Sequence, residues 1–186
     1  MTAAALDVLA DKGYPAMTFT EVAKRAGVSR GAILHYFPTK SDLALAAIEY
    51  AESMAVKTLR ERVKVAKGTP NTDAKVIDAL YEIHSASGFQ AFLALQLHAR
   101  TDPPLNTRLY AIVERATVRY GEIAADGWGP EVEEAEGFRP LLEVILATVR
   151  GLVSVAEVAA PYDQDVWPAA RRVLVSALQD LRDGKA

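Results

Sequence analysis

The stretch from Thr18 to Lys40 constrains the fold more than any other, because it contains the start and stop signals of two short helices joined by a tight turn. Thr18 precedes Glu21 by three residues, which is the spacing of a reciprocal capping box. Gly27 can adopt the left-handed backbone that ends a helix, and Ser29 can cap a second helix two residues later. The stretch therefore predicts a helix-turn-helix, whose second helix is expected to enter a DNA major groove.

Packing and charge in the same stretch support this interpretation. Two helices this short need tertiary contacts to be stable, and we expect Ala23, Val28 and Ile33 to form the seam between them. Residues 24–40 include four basic residues and no acidic one, although the whole chain has 21 Lys and Arg against 24 Asp and Glu. A basic patch on an acidic chain concentrates phosphate affinity on one face. The alternative is the solvated face of a structural helix pair.

Residues 10–43 resemble the N-terminal domain of the tetracycline-repressor (TetR) family of bacterial transcription regulators. The matching pieces are Lys12-Gly13-Tyr14, Thr18, Val22-Ala23, Ala26-Gly27-Val28-Ser29, Gly31, His35-Tyr36-Phe37-Pro38-Thr39-Lys40 and Leu43. The resemblance implies an all-helical homodimer that represses transcription until a small molecule binds its C-terminal domain. Beyond about Ala47 the similarity is weak, apart from the segment Ala99-Arg100-Thr101-Asp102-Pro103, which is similar to a segment in some C-terminal domains of the family.

The expected DNA contacts lie at the start of the first helix and along the second. They are Thr18, Ser29, Arg30, Gly31, Ala32, Leu34, His35, Tyr36 and Lys40. Residues 29–32 should face base edges, and Arg30 is the expected direct reader because its planar fork fits guanine O6 and N7. Thr18, Tyr36 and Lys40 should hold phosphates, and His35 suits either role. Leu34 occupies a position that is commonly tyrosine in the family, so that contact is absent or replaced by an apolar contact with a thymine methyl.

The start of the chain also departs from the family pattern. The resemblance implies a basic arm and one more helical turn before Thr2, and the sequence shows neither. We therefore expect that this chain begins late and that the natural product is longer.

Composition and motifs argue against several other classes of protein. The chain has no cysteine, which excludes disulfides and thiolate metal sites and fits a reducing cytoplasm. We find no signal peptide. None of the three histidines has a second ligand at zinc-motif spacing, and neither a nucleophile elbow nor a phosphate-binding glycine loop occurs. We therefore expect no catalytic residues, no metal, no cofactor and no membrane association.

The periodicity of apolar residues predicts an all-α fold of about nine helices. The expected helices are 2–12, the two helices of the helix-turn-helix, 39–67, 73–87, 89–100, 104–125, 138–160 and 163–182, with breaks that include Gly88 and Gly127-Trp128-Gly129-Pro130. The acidic run after Pro130 is expected to be a solvated loop. We expect a three-helix DNA-binding head at 1–46 and a ligand-binding and dimerisation domain at 47–186.

The helix predicted at 138–160 is apolar or small on every side except a stripe formed by Glu143, Arg150 and Glu157. Because the three charged residues recur every seven positions, they share one narrow stripe, and the remaining surface needs more cover than one neighbouring helix provides. We expect this helix and the last one to form a four-helix interface between two subunits. Its residues are Leu141, Ile145, Thr148, Leu152, Val155, Val166, Ala170, Val173, Leu174, Ala177, Leu178 and Leu181.

A small-molecule site is expected in the middle helices, where a few polar residues stand among apolar ones. Its residues are Tyr81, His84, Phe89, Phe92, Gln96, Tyr110, Val113 and Tyr120. The alternative is that these are core aromatics and satisfied buried polar groups. The sequence thus predicts a repressor that binds a palindromic operator and is released by an apolar or aromatic inducer. The remaining alternative is an all-helical small-molecule-binding protein without a DNA role.

Overall fold

The computed structural model describes residues 1–156 and 166–185, and within them the chain forms ten α-helices and no strand. The helices are α1 Thr2–Ala16, α2 Phe19–Ala26, α3 Arg30–Tyr36, α4 Lys40–Ala66, α5 Thr72–His84, α6 Ser87–Ala99, α7 Pro103–Trp128, α8 Pro130–Glu133, α9 Phe138–Ala156 and α10 Val166–Arg182. The predicted all-α fold is therefore confirmed. The additional helix is α8, which lies in the predicted acidic loop and buries Val132. The predicted end of one helix at residue 160, the predicted start of the next at 163 and the charged residue Glu157 lie outside the described residues.

Two glycines that were predicted to break helices instead lie inside them. Gly127 is in α7, where a Cβ atom would come within 2.8 Å of the side chains of Val63 and Val76. Gly88 is in α6, where a Cβ atom would lie 2.9 Å from that of Ala51. Both glycines allow helices to pack closely, so their role depends on tertiary contacts that the local sequence does not contain.

The helices group into two compact units, and each is described separately. Unit 1 consists of Met1–Ala55 and Ala86–Thr117. Its core includes the fully buried Ile33 of α3, together with side chains from α1, α4, α6 and the first half of α7. Helix α6 and the beginning of α7 therefore share one core with the helix-turn-helix. The predicted division at residue 46 concerns the roles of the two parts and stays a prediction.

Unit 2 consists of 56–85 and 118–186, and its described core includes fully buried residues of α4, α5, α9 and α10. Two bidentate ion pairs attach α10 to α5. Arg171 donates two hydrogen bonds of 2.6 Å to Asp78. Arg182 donates hydrogen bonds of 2.8 and 3.0 Å to Asp73, and another to the backbone oxygen of Trp128. In the described part of the chain, no helix is long and apolar enough to cross a membrane.

Candidate nucleic-acid interface

The turn between α2 and α3 is built by the local signals that the sequence predicted. The Oγ1 atom of Thr18 accepts a hydrogen bond of 3.1 Å from the Glu21 amide, and Ser29 Oγ accepts one of 3.0 Å from the Ala32 amide. Gly27 has φ 67° and ψ 30°, the left-handed conformation that ends α2. Only half of the predicted capping box forms, because the Glu21 carboxylate instead accepts a hydrogen bond of 2.6 Å from Lys12.

The packing of α3 separates an inner face from an outer face. Ile33 is fully buried, as is Val22 on α2, and Ala23 is 6% exposed. The seam prediction was wrong for Val28, which is 36% exposed because it lies in the turn and precedes the cap of α3. The outer face of α3 carries the exposed residues Arg30, Gly31, Leu34 and His35.

The structure places every predicted DNA-contacting residue at the surface of unit 1. Seven are exposed, and the other two, Ala32 and Lys40, are partly exposed. Tyr36 is 64% exposed, and its ring meets that of His35 edge-on at 5.1 Å. All nine residues lie between 18 and 40, and their contacts with DNA stay a prediction.

The cations of this surface differ in how firmly they are held. Arg25 donates a hydrogen bond of 2.6 Å to Asp11, which is the first cause of its raised pKa. Lys40 donates to the backbone oxygen of Pro15 at 3.1 Å and lies 4.4 Å from the centre of the Tyr14 ring. Burial lowers the Lys40 pKa. Over residues 1–156 and 166–185, the Arg30 guanidinium has neither a hydrogen bond nor an ion pair, so it is available to an external acceptor.

Comparisons with known proteins agree with this geometry. Residues 2–47 match the family described as "Bacterial regulatory proteins, tetR family". The transcriptional regulator CymR of Pseudomonas putida is 35% identical over 161 residues, which cover 82% of this chain and 75% of that relative. The chain belongs to the tetR family. It is therefore a ligand-responsive, DNA-binding transcriptional regulator, and this class of protein is not enzymatic.

Two further similarities of this tetR-family chain are to a transcriptional activator and to a multidrug binding protein. The transcriptional activator FasR of Mycolicibacterium smegmatis is 24% identical over 134 residues, which cover 71% of this chain and 60% of FasR. The crystal structure of the multidrug binding protein EbrR complexed with imidazole has a TM-score of 0.67 and 20% identity, covering 97% of this chain and 91% of EbrR. The EbrR similarity shows the shared fold.

The predicted ligand-binding residues of this tetR-family regulator fall in both units. Three belong to unit 2: Tyr81, His84 and Tyr120. Five belong to unit 1: Phe89, Phe92, Gln96, Tyr110 and Val113. In unit 1 the rings of Phe89 and Phe92 stack at 5.8 Å, while Gln96 is exposed and Tyr110 is 67% exposed. The assignment of all eight as ligand contacts stays a prediction.

His84 is the centre of a polar cluster inside unit 2. Its Nδ1 atom lies 2.8 Å from the backbone oxygen of Leu80, and Arg150 Nε donates a hydrogen bond of 3.2 Å to its Nε2 atom. The ring of Tyr120 lies edge-on at 5.8 Å. The pKa of His84 is lowered to about 4, chiefly by burial; the bond to Leu80 raises this pKa, and the nearby Arg150 charge lowers it. The neutral imidazole therefore donates through Nδ1 and accepts through Nε2.

Sequence reasoning missed two neighbours of the predicted ligand residues. Arg150 was assigned to a solvated stripe with Glu143, but it is only partly exposed and turns toward His84. Trp167 stacks on Tyr81 with ring centres 4.0 Å apart. The spacing of charges along α9 could not reveal the first contact, because it depends on where α5 lies. Within the described residues, no group of His, Asp or Glu is placed to hold a metal ion.

The residues predicted for the dimer interface divide into core and surface positions. Four are buried inside unit 2 and are corrected to core residues, because their own protomer already covers them: Ile145, Leu174, Leu178 and Leu181. The other eight are partly or fully exposed: Leu141, Thr148, Leu152, Val155, Val166, Ala170, Val173 and Ala177. On α9 the most exposed stripe contains Val144, Ala147, Gly151 and Val155, which recur at helical spacing.

Proposed function

We propose that this protein is a repressor that binds a palindromic operator as a homodimer and leaves it when an apolar or aromatic small molecule binds. The observation that carries the proposal is the outer face of α3. Its arginine has no partner among the described residues, and 22–41 contain no acidic residue that would repel a phosphate. A short helix with such a face, held at its back by the buried Ile33, suits a major groove.

The division of labour on this face follows from the partners of each side chain. Arg30 reads guanine, since its guanidinium has no partner within residues 1–156 and 166–185. Lys40 binds a phosphate, because one of its three N–H donors is used by Pro15 and the bond fixes the direction of the others. Thr18 and Tyr36 add phosphate contacts through their hydroxyl groups, and His35 lies between the two kinds of contact.

A dimer is supported by the exposed apolar residues of α9 and α10. Val144 is 55% exposed, Val155 is 36% exposed and Val173 on α10 is 68% exposed. Apolar residues that recur along a helix at the surface mark a protein interface more often than isolated ones do. Two protomers that pair through α9 and α10 would carry two copies of α3, as a palindromic operator requires.

An apolar or aromatic inducer is supported by the chemistry of the predicted pocket residues. Stacked rings occur at Tyr81 with Trp167 and at Phe89 with Phe92. The His84 and Arg150 pair supplies polar groups in unit 2. EbrR, a multidrug binding protein with this fold, has been crystallised in complex with imidazole, which is an aromatic compound. Release then requires that the ligand favours a dimer conformation whose α3 helices do not fit successive grooves.

An electrophoretic mobility shift with the DNA flanking the protein's own gene tests the proposal. Wild type should retard this DNA and not a shuffled duplex, and Arg30→Ala should retard it more weakly and distinguish the two duplexes less. Lys57→Ala is the control, because it removes an exposed cation outside 18–40 and should leave the shift unchanged.

Transcription from the same promoter should fall when the protein is added; a rise would instead indicate an activator, as FasR is named. A protein that retards no DNA would favour the ligand-binding alternative.

A further inference from the structure

Leu34 is an apolar side chain in the middle of the outer face of α3. Its exposed fraction is 37%, whereas the adjacent Ile33 is fully buried. Arg30 precedes Leu34 by four residues and Gly31 precedes it by three, so the three residues share one side of the helix. If this side faces base edges, the leucine is covered by DNA and loses its contact with water.

The chemistry of the major groove restricts what Leu34 can contact there. Leucine has no hydrogen-bonding group, so placing it against a base-edge donor or acceptor would leave that group without water and without a partner. The C5-methyl of thymine is the apolar group that the major groove presents. A methyl against the leucine removes apolar surface from water on both sides.

We propose that Leu34 is a specificity residue that selects a thymine in each half-site through its C5-methyl group. The inference rests on the proposed operator binding. Four residues of helix span about 6 Å, and stacked base pairs repeat every 3.4 Å or so, so the thymine lies about two base steps from the guanine read by Arg30. Burying one methyl group corresponds to about fourfold in affinity for each half-site.

The test begins with a half-site selected by the protein itself. Wild-type protein is used to enrich sequences from a random duplex library, and the consensus is then synthesised with deoxyuridine in place of one thymine at a time. Deoxyuridine lacks only the methyl group and keeps every hydrogen-bonding atom. We expect one thymine in each half-site whose replacement weakens binding about fourfold, and on the order of fifteenfold when both half-sites are changed.

Three variants assign the effect to Leu34. Leu34→Ala should bind the thymine and deoxyuridine duplexes equally. Leu34→Met keeps an apolar side chain long enough to contact the methyl group, so it should still distinguish them. Leu97→Ala is the matched control, because it truncates a leucine that is 73% exposed on α6 and is not among the predicted DNA contacts, and it should keep the full discrimination. The inference fails if no thymine is methyl-sensitive, if Leu34→Ala discriminates as wild type does, or if Leu97→Ala abolishes the effect. If the selection enriches no sequence, the proposed operator binding itself fails and this inference with it.

Discussion

Gly31→Ala separates the requirements of the folded protein from those of the DNA complex. Gly31 has helical backbone in α3, and an added Cβ atom would meet only Ser29 Oγ, at an ordinary contact distance of 3.8 Å. Folding therefore gives no reason for glycine at this position. Alanine is the better helix former by at most about 1 kcal/mol, and less in a first turn. For a chain of this length the variant should melt up to about 3 °C higher than wild type.

The same methyl group should weaken the DNA complex, because Gly31 is exposed beside Arg30 and, in the proposed complex, allows the helix backbone to approach the base edges. Overpacking a close interface costs about 1–3 kcal/mol, which corresponds to roughly 5- to 160-fold in affinity. Fluorescence anisotropy with a labelled operator, together with thermal unfolding of the free protein, measures both effects. Unchanged affinity in the more stable variant would remove Gly31 from the interface. A loss of stability would show that the free protein itself needs the glycine.

Three further predictions concern charge, dimerisation and pH. Arg30→Ala should cost about 1–3 kcal/mol of operator binding and relax one base preference. Lys40→Ala should instead lower the affinity for every DNA sequence and reduce the slope of log affinity against log salt by about one per lost phosphate contact. Titrations at several salt concentrations distinguish the two. Val173→Asp should stay folded but raise the dimer dissociation constant at least about 100-fold, whereas Leu178→Asp, at a fully buried position, should unfold. Light scattering measures the dimer and circular dichroism measures the fold. The pKa of His84 is near 6.5 in the unfolded state and about 4 in the folded state, so the unfolded state takes up the proton first as pH falls. The free energy of unfolding of wild type should therefore fall by about 2 kcal/mol between pH 7 and 5. Urea titrations at the two pH values should show that His84→Gln lacks this decrease in the free energy of unfolding.

The success of sequence reasoning depended on how local the signals were. The caps at Thr18 and Ser29 and the left-handed Gly27 act over three or four residues, so the helix-turn-helix followed from the sequence. Contacts between distant segments did not follow. Gly127 is a glycine because two valine side chains crowd its position, and its sequence neighbours suggested a turn instead. Arg150 is turned inward by His84, which lies 66 residues away in the chain.

The amphipathic pattern of α9 and α10 had a related limit. Apolar residues on a helix show that it must be covered, but their spacing does not say whether the cover comes from the same protomer or from a second one. Leu178 and Val173 are both apolar residues of α10, yet one is fully buried in unit 2 and the other is 68% exposed. Only the positions of the neighbouring helices separate the core from the proposed interface.

Tyr14 offers a test of how the DNA-binding surface is coupled to the rest of unit 1. Its hydroxyl group is 3.1 Å from Ser41 Oγ, and the Lys40 ammonium lies over its ring. The ring of His98, on α6, lies 4.5 Å from that of Tyr14. A single buried side chain thus joins the end of α1, the start of α4 and α6. A ligand that shifts α6 would move Tyr14, and through it the residue that we propose holds a phosphate.

Two substitutions of Tyr14 distinguish the hydroxyl group from the ring. Tyr14→Phe should cost about 1 kcal/mol of stability by removing the bond to Ser41, and it should keep ligand-induced release because the ring remains. Tyr14→Leu should lose the ring contacts with Lys40 and His98, so the inducer should reduce operator affinity by a smaller factor than in wild type. Tyr50→Leu, at an exposed position of α4, is the control. Operator titrations with and without inducer give the factor for each protein. An unchanged factor in Tyr14→Leu would mean that the ligand reaches α3 by contacts that do not include this ring.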